Sequence, residues 1–270
     1  MKAFARPFKR IIKKTLAQVG FFDPFREVFK EIEFETTTYC NRKCLYCPNS
    51  KYERIGSENG RYMKEDVFEK LLRDLSDIGF QGLIAPHLYG EPLTDPRLVI
   101  WISKIRKTLP KTRIKVVTNG DLLDEKIYND LTNAGVDYFY VSKHSPNLPQ
   151  NVAYLLNTLT EENRLKRFKI IDFYEDFKNK QTMLNTRGGE IKLNKKKLSH
   201  PICCEYVSYP VINTFGDLIL CCNDFHGQYV FGNIMRRHLL EIWQDTNNIK
   251  LRKRIYKGHF DLPICQNCWI

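Results

Sequence analysis

The sequence lacks several features that would place the chain in a well-defined class. No apolar run approaches the roughly 18 residues of a membrane-spanning helix, and the charged N-terminus leaves no room for the apolar stretch of a secretory signal. Glycine and proline are scarce, with 14 and 12 among 270 residues, which excludes collagen-like and disordered chains. With 43% hydrophobic residues the chain can bury a sizeable core. We therefore expect one large cytoplasmic domain, alone or with an appendage.

Charge and cysteine content narrow the classes of partner. The 43 Lys and Arg outnumber the 31 Asp and Glu, and the net charge of +12 attracts a nucleic acid, a phosphorylated substrate, an anionic membrane or an acidic protein. The basic residues form no aromatic-interleaved stripe, which argues against a nucleic acid. Nine cysteines, an odd number in a chain without an export signal, favour metal binding or catalysis over a disulfide framework.

Residues 1–32 form a basic amphipathic segment. Its apolar positions fall on one helical face, and lysines and arginines lie beside them before the first acidic residue, Asp23. This pattern fits a first helix packed on the fold with its basic side in solvent. It also fits contact of residues 1–31 with a membrane surface, in which case the protein is peripheral at the inner membrane face.

From residue 33 onward, strand-like runs alternate with helical patterns, which is typical of a parallel sheet or barrel. We expect this unit to occupy residues 33–178, followed by a charged linker over 179–199 and a cysteine-bearing unit over 200–270. Helices are predicted to begin at Asp95-Pro96 and at Asp124. The predicted strands are Glu33–Thr38, Gly82–Tyr89, Arg113–Thr118, Asp137–Ser142 and Phe168–Phe173.

Three cysteines, Cys40, Cys44 and Cys47, lie in one loop directly after the first predicted strand. Soft thiolates at this spacing hold an iron–sulfur cluster or zinc. A structural zinc site needs four ligands, and this loop offers three without a nearby histidine. The zinc alternative pairs Cys44 and Cys47 with Cys265 and Cys268 across a long gap. On a four-iron cluster, three thiolates leave one iron open for a substrate or cofactor.

The run Thr-Tyr-Cys-Asn-Arg-Lys-Cys-Leu-Tyr-Cys-Pro, from Thr38 to Pro48, resembles the signature loop of the radical S-adenosylmethionine (SAM) superfamily. Polar motifs at the next strand ends also match the family. The resemblance implies an α/β fold with a partial (β/α)6-type barrel, and a 4Fe–4S cluster on the three cysteines of the loop that binds SAM. Glu91 is implied to receive the SAM amino group. The implied SAM contacts are Tyr46, Gly90, Glu91, Thr118, Asn119 and Ser142.

A second set of cysteines resembles the auxiliary-cluster extension called the twitch domain, a shortened SPASM domain. The set comprises Cys203, Cys221, Cys265 and Cys268, with Gly216 in the turn of a predicted hairpin. The resemblance implies a small α/β domain whose four thiolates hold a second 4Fe–4S cluster. Cys203 and Cys204 are adjacent, as are Cys221 and Cys222, so the ligating member of each pair stays open, although the family spacing favours Cys203 and Cys221. The spare thiols are buried small hydrophobes or hydrogen-atom donors.

The resemblance also implies a reaction. SAM is cleaved reductively to a 5′-deoxyadenosyl radical, which removes a hydrogen atom from the substrate. A cluster held by four thiolates suits electron transfer and favours net oxidation. The layout resembles the twitch-bearing aminocyclitol dehydrogenases, so we expect a small polar substrate such as a sugar, a cyclitol or a derivative. The alternatives are a radical epimerase, a peptide-modifying maturase and a non-catalytic nucleic-acid-binding iron–sulfur or zinc protein.

Candidate substrate contacts follow from position and from the resemblance. Arg187 lies where the resembling dehydrogenases place an arginine near the reacting hydroxyl, and its planar fork suits a hydroxyl or a phosphate. His144 follows a predicted strand end and is a candidate general base. Cys204 and Cys222 are the candidate hydrogen donors of the epimerase alternative. His87 is predicted inside a strand and is expected in the core. A flavodoxin or ferredoxin is the expected reductant.

Overall fold

A mixed sheet of eight strands forms the centre of the molecule. The computed structural model describes residues 25, 28–52, 61–179, 184–193, 200 and 204–269. The strands are β1 (Glu31–Phe34), β2 (Leu83–Ala85), β3 (Arg113–Thr118), β4 (Tyr138–Lys143), β5 (Phe168–Asp172), β6 (Val211–Ile212), β7 (Asp217–Ile219) and β8 (Val230–Asn233). The helices are α1 (Glu65–Asp77), α2 (Leu98–Thr108), α3 (Glu125–Ala134), α4 (Gln150–Thr158), α5 (Glu161–Arg167), α6 (Phe173–Lys178), α7 (Leu239–Gln244), α8 (Thr246–Tyr256) and α9 (Pro263–Gln266).

The order of the strands confirms the predicted α/β fold. Across the sheet the order is β5-β4-β3-β2-β1-β6-β7-β8. Neighbours from β5 to β6 run parallel, whereas β6, β7 and β8 pair antiparallel. The first five strands alternate with helices, as in a partial barrel. The sixth parallel position is taken by β6 of the cysteine-bearing C-terminal unit, so that unit extends the barrel sheet.

Pairing between β1 and β6 sets the position of the C-terminal unit. Glu33 lies opposite Val211, Phe34 lies opposite Ile212, and the Glu35 N–H donates to the Ile212 carbonyl at 2.8 Å. Strand β1 leads directly into the cysteine loop at the carboxyl edge of the sheet, where parallel α/β folds place their sites. The pairing therefore brings the C-terminal unit beside that loop.

Local sequence signals place most of the helix and strand ends. Asp124 caps α3, since its carboxylate accepts from the Ile127 N–H at 2.7 Å, and Gly135 ends the helix with a φ of 119°. Helix α2 begins at Leu98, three residues after the predicted start at Asp95. The Asp95 carboxylate instead accepts from the Arg97 N–H, just before the helix. Strands β1 and β2 end earlier than predicted because the chain turns there into the loops of the site.

Aromatic side chains fill much of the core between the helices and the sheet. The rings of Phe68 and Trp101 stack with their centroids 4.1 Å apart, and the Trp101 indole N–H donates to Glu65 at 2.8 Å. Phe25 and Phe29 are buried against Trp243 of the C-terminal unit. Residues 1–24, 26 and 27 lie outside the described residues, so membrane contact of residues 1–31 stays a prediction. No helix among the described residues is long and apolar enough to cross a bilayer.

A buried carboxylate on α1 holds the C-terminal unit against the barrel. Asp74 is 2% exposed, and it accepts from the Leu239 N–H at 2.9 Å, at the first turn of α7. The Lys70 ammonium lies 2.6 Å from the same carboxylate and offsets part of its desolvation. The Asp74 carboxylate therefore accepts from a free backbone N–H at the start of α7, a helix of the C-terminal unit.

We expect Asp74→Ala to lower the free energy of unfolding by about 1 to 3 kcal/mol, because it leaves a buried N–H without its acceptor. Chemical denaturation followed by circular dichroism measures this change. Asp66→Ala is the matched control, since Asp66 is exposed on the same helix and its side chain accepts from the adjacent Val67 N–H. Equal losses in the two variants would contradict the role of Asp74.

Candidate active site

A cavity of about 390 Å³ lies at the carboxyl edge of the sheet, where the loops after β1 to β4 meet the C-terminal unit. Most of the predicted site residues line it. They are Cys40, Cys44, Tyr46, Cys47, Gly90, Glu91, Thr118, Asn119, Ser142, His144, Arg187 and Cys222. The structure thus brings together residues from four strand ends, the segment around residue 187 and the C-terminal unit.

The thiols of Cys40, Cys44 and Cys47 face one another on the cysteine loop. Burial is the main cause that raises the pKa of Cys44 to about 11, and the neighbouring thiols Cys47 and Cys40 contribute to the same rise. Thiolates in such a set need a cation to compensate them. Among the described residues, no three cysteine sulfurs lie within 4.8 Å of one another. Three thiols leave a single zinc ion one ligand short, whereas on a four-iron cluster they leave one iron open.

A salt bridge braces the cysteine loop against the end of β3. The Arg42 guanidinium donates to the Asp121 carboxylate, with its Nε at 2.6 Å, and the Asn41 amide donates to the same carboxylate at 3.0 Å. The Asn119 amide in turn donates to the Asn41 Oδ1 at 2.8 Å. The loop is therefore held in place from outside before any ligand binds. Asp121 was missed in the sequence, although it lies two residues after the predicted SAM contact Asn119.

Gly90 and Glu91 fix the next strand end to its neighbours. A Cβ on Gly90 would lie 1.9 Å from the Thr37 carbonyl oxygen, so the close approach of the two loops requires glycine. Glu91 accepts from the Thr118 hydroxyl at 2.7 Å and from the Asn119 N–H at 2.8 Å. Burial raises the pKa of Glu91 to about 7, against the effect of these hydrogen bonds. The site thus holds a buried carboxylate that a cationic ligand would favour in its charged form.

Tyr46 and His144 form a buried aromatic contact on the far side of the cavity. The Tyr46 Oη lies 2.7 Å from the His144 Nδ1, and the two rings stack with Phe173 and Phe177 nearby. Burial lowers the pKa of His144 to about 4, and the positive charge of Arg42 adds to the effect. A base this weak takes up a proton poorly near neutral pH. The geometry therefore favours a role for His144 in orienting Tyr46 over the predicted role of general base.

Arg187 has a strained backbone and an unsatisfied guanidinium. It is the one described residue other than glycine with a positive φ, at 50°. Such a conformation costs of order 1 to 3 kcal/mol and persists where a site requires it. Its Nη1 donates to the Asn223 Oδ1 at 3.2 Å, whereas its buried Nε has no partner among the described residues. Tyr89 and Cys222 are among its electrostatic neighbours, so the cation faces the cavity.

The second thiol set includes Cys204. Its thiol interacts electrostatically with those of Cys268 and Cys265, and the Cys221 thiol interacts with those of Cys204 and Cys268. Burial raises the pKa of both Cys204 and Cys265 to about 12. The predicted ligand Cys203 lies outside the described residues. Four thiols, from the segments at 204, 221 and 265–268, therefore converge in the C-terminal unit.

Cys222 points away from this set and into the cavity. Its Sγ accepts from the Tyr209 hydroxyl at 3.9 Å, and its electrostatic neighbours are led by Glu33 and Arg187. The Cys221-Cys222 pair therefore presents one thiol to the second set and the other to the cavity.

Several cavity residues were not predicted from the sequence. His87 was expected in the core, but β2 ends before it, and its Nε2 lies 3.6 Å from the Glu33 carboxylate at the cavity wall. Lys115 forms a 2.8 Å salt bridge with Glu31. The signal that could have found these side chains is a charged residue within a strand of otherwise apolar residues. Tyr140, Tyr206 and Tyr209 are further wall residues that were not predicted.

The fold and the two thiol sets define a class of enzyme. Residues 34–176 match the family model of the radical SAM superfamily, and residues 203–269 match the model of SPASM, an iron–sulfur cluster-binding domain. The chain belongs to the radical SAM superfamily, and it is an oxidoreductase that uses SAM and two 4Fe–4S clusters.

Individual relatives extend this assignment. The chain is 30% identical over 244 residues to the S-adenosyl-L-methionine-dependent 2-deoxy-scyllo-inosamine dehydrogenase of Niallia circulans, covering 90% of this chain and 93% of that protein. The crystal structure of BtrN in complex with AdoMet and 2-DOIA matches with a TM-score of 0.78 at 30% identity, again over 90% and 93% of the two chains. Native anSMEcpe with bound AdoMet shares the fold at a TM-score of 0.58 and 15% identity, over 86% and 84%.

We expect the affinity for SAM to follow the ionisation of Glu91. Its raised pKa of about 7 favours the protonated form, so the charge that would attract the SAM ammonium is lost as the pH falls through 7. The Kd should therefore decrease about tenfold between about pH 6 and about pH 8. Equilibrium dialysis with labelled SAM on anaerobically reconstituted protein measures it. Glu91→Gln should flatten the profile, and an unchanged profile in this variant would remove Glu91 from the amino-group site.

Proposed function

We propose that the chain is a radical SAM dehydrogenase that oxidises a secondary alcohol of a small polar substrate, a sugar, cyclitol or derivative, to a ketone. The observation that carries this proposal is the position of Arg187. Its guanidinium lies in the cavity between the two thiol sets, its backbone is strained, and its buried Nε–H has no partner in the part of the chain that the structure describes. The 2-deoxy-scyllo-inosamine dehydrogenase of Niallia circulans, to which the chain is 30% identical, supports an aminocyclitol as the substrate class.

Cys40, Cys44 and Cys47 would hold the cluster that binds SAM, and Glu91, Asn119, Ser142 and Tyr46 would surround SAM itself. When bound, the cluster and SAM together supply the 5′-deoxyadenosyl radical that removes a hydrogen atom from the substrate. The protein's own part is to position the partners and to exclude water. Glu91 would fix the ammonium of SAM, while Tyr46, stacked on His144, offers an aromatic face.

We assign the second cluster to Cys204, Cys221, Cys265 and Cys268. The Cys204 thiol lies with the other three, which supports it as the ligand in place of Cys203. This assignment takes Cys204 out of the candidate hydrogen donors. Four thiolates fill the four outer positions of a 4Fe–4S cluster, so the site suits electron transfer rather than substrate binding.

Arg187 would bind the oxygen of the reacting alcohol. A guanidinium stays charged at all physiological pH values and donates in a rigid fork, so it stabilises the negative charge that develops as the hydroxyl loses its proton. Glu33 is 7% exposed and lies at the cavity wall with Cys222 and Tyr209. Its carboxylate would suit the amino group of an aminocyclitol.

One observation favours a second candidate, a radical epimerase. The Cys222 thiol lines the cavity beside Arg187, where it could return a hydrogen atom to the substrate. In that case the product has the mass of the substrate, whereas dehydrogenation removes two hydrogen atoms. The dehydrogenase is favoured because the four-thiol set provides an electron acceptor next to the cavity.

We propose a flavodoxin or ferredoxin as the reductant and a cytoplasmic location, where such carriers act. The net charge of +12 supports docking of an acidic carrier. Leu45 of the cysteine loop is 73% exposed and offers an apolar contact close to the first cluster. Contact of residues 1–31 with the inner membrane face is a further proposal, supported by their basic amphipathic pattern.

Iron content tests both cluster assignments. Wild-type protein reconstituted without oxygen should bind roughly eight irons per chain, four on each thiol set. Cys44→Ala and Cys268→Ala should each retain about four, because each removes one ligand from a different set. Cys203→Ala should keep the full count if Cys204 is the ligand, and Cys204→Ala should not. The opposite result for this pair would restore Cys203.

Product analysis tests the reaction. With 2-deoxy-scyllo-inosamine, dithionite and SAM, we expect a product lighter by two hydrogen atoms, formed together with 5′-deoxyadenosine and measured by mass spectrometry. Arg187→Met should lower kcat/KM for this substrate by about a hundredfold or more, because it removes the charged donor. Lys43→Met is the control, since it removes a cation of the cysteine loop whose ammonium contacts the Asn49 carbonyl. A product of unchanged mass would favour the epimerase.

A further inference from the structure

Asn223 connects the arginine of the cavity to a cysteine of the second set. This side chain is 1% exposed. Its Oδ1 accepts from the Arg187 Nη1 at 3.2 Å, and its Nδ2 donates to the Cys268 Sγ at 3.6 Å. One amide therefore bridges the group proposed to bind substrate and a thiol proposed to bind the auxiliary cluster.

The backbone around Arg187 makes the same connection independently. The Gly188 N–H also donates to the Cys268 thiol, with Gly188 at a φ of 68°. The Thr186 N–H donates to the Trp269 carbonyl at 2.9 Å, and the Trp269 N–H donates to the Thr186 hydroxyl at 2.8 Å. The segment that carries Arg187 is thus wrapped around Cys268, so a shift of one would move the other.

We propose that Asn223 is a positioning residue that couples Arg187 to the electron acceptor, holding the guanidinium in the cavity while raising the reduction potential of the auxiliary cluster through its N–H bond to Cys268. This inference rests on the proposed function, since it takes Cys268 as a cluster ligand and Arg187 as the contact to the alcohol. Beyond that function, the inference names Asn223 as the residue that links the Arg187 site to the auxiliary cluster at Cys268.

The direction of the effect follows from charge. Reduction adds an electron to the cluster, and hydrogen bonds to the ligand sulfurs stabilise the more negative form, which raises the potential. The positive charge of Arg187 pulls on the Asn223 carbonyl and so polarises the N–H on the other side of the same amide. Loss of the Arg187 charge should therefore weaken the bond to Cys268, but only while Asn223 is present.

Two variants separate the halves of the bridge. Asn223→Asp keeps the shape and the acceptor for Arg187, loses the donor to Cys268, and adds a negative charge near the sulfur. Asn223→Leu loses both contacts. Asn248→Leu is the matched control, because it removes an amide of the same unit, half-buried, that donates to the carbonyls of Phe231 and Ile242 and not to a described cysteine.

The measurement is a redox titration of the reconstituted protein followed by electron paramagnetic resonance, without substrate. At the wild-type midpoint, Asn223→Leu should change the ratio of oxidised to reduced auxiliary cluster by about twofold to tenfold toward the oxidised form, the range expected for one hydrogen bond. Asn223→Asp should shift it further in the same direction, and Asn248→Leu should leave it at the wild-type value. Arg187→Met should shift the ratio more in the wild-type background than in Asn223→Leu, because the charge of Arg187 also acts on Cys268 directly and only the remainder passes through the amide.

Three results would overturn the inference in distinguishable ways. A protein with eight irons and wild-type midpoints in both Asn223 variants would refute the coupling while leaving the proposed function intact. Equal shifts on Arg187→Met with and without Asn223 would show that the arginine acts through space and not through the amide. A wild-type chain with four irons and no second resonance signal would refute the proposed function itself, and the inference with it.

Discussion

The molecule is organised around two groups of partly or fully buried thiols whose surroundings disfavour the thiolate. In both groups burial raises the pKa of the sulfur, and neighbouring thiols add to the effect, as for Cys44 in the first and Cys204 in the second. Metal binding removes this obstacle, because a coordinated thiol releases its proton to solvent and the metal compensates the thiolate charge. Much of the stability of the cysteine loop and of the C-terminal unit is therefore expected to come from the clusters they hold. The rest of the fold places these two groups on either side of one cavity.

The sheet achieves this placement with little additional structure. Strands β1 to β5 bring four loops to a common edge, and β6 adds the C-terminal unit to the same sheet. The cavity is consequently bounded on one side by residues that would contact SAM and on the other by Tyr206, Tyr209 and Cys222. Arg187 lies between them. A substrate bound there would be close to both the radical source and the electron acceptor, which is what an oxidation in two one-electron steps requires.

The sequence was informative where the chemistry is local. The cysteine spacing, the Gly90-Glu91 pair and the Asn119-Gly120 turn are short motifs, and their positions after strands could be predicted from the βα rhythm. The choice between adjacent cysteines could not, because it depends on how the tertiary structure orients each of two neighbouring side chains. The contacts of Asp121 with the cysteine loop and of Asn223 with Cys268 join distant parts of the chain, so no local pattern reveals them.

Buried charges were the other feature that sequence patterns concealed. Glu33 and Lys115 occupy strands in which alternation suggests apolar neighbours, yet both line the cavity. Their surroundings became visible only when the strands were placed side by side, with Lys115 on Glu31 and His87 near Glu33.

The parallel pairing of β6 with β1 also limits how the two halves can be recombined. Removing the C-terminal unit would uncover the backbone groups of Glu33 to Glu35 that pair with β6 and leave an open strand edge that can associate with other chains. A chimera that carries the C-terminal unit of another enzyme would need a first strand with the same register and twist as β6. The barrel and the C-terminal unit are thus distinct in sequence but are not interchangeable. New substrate specificities are more readily engineered in the side chains of the cavity wall than by exchanging the C-terminal unit.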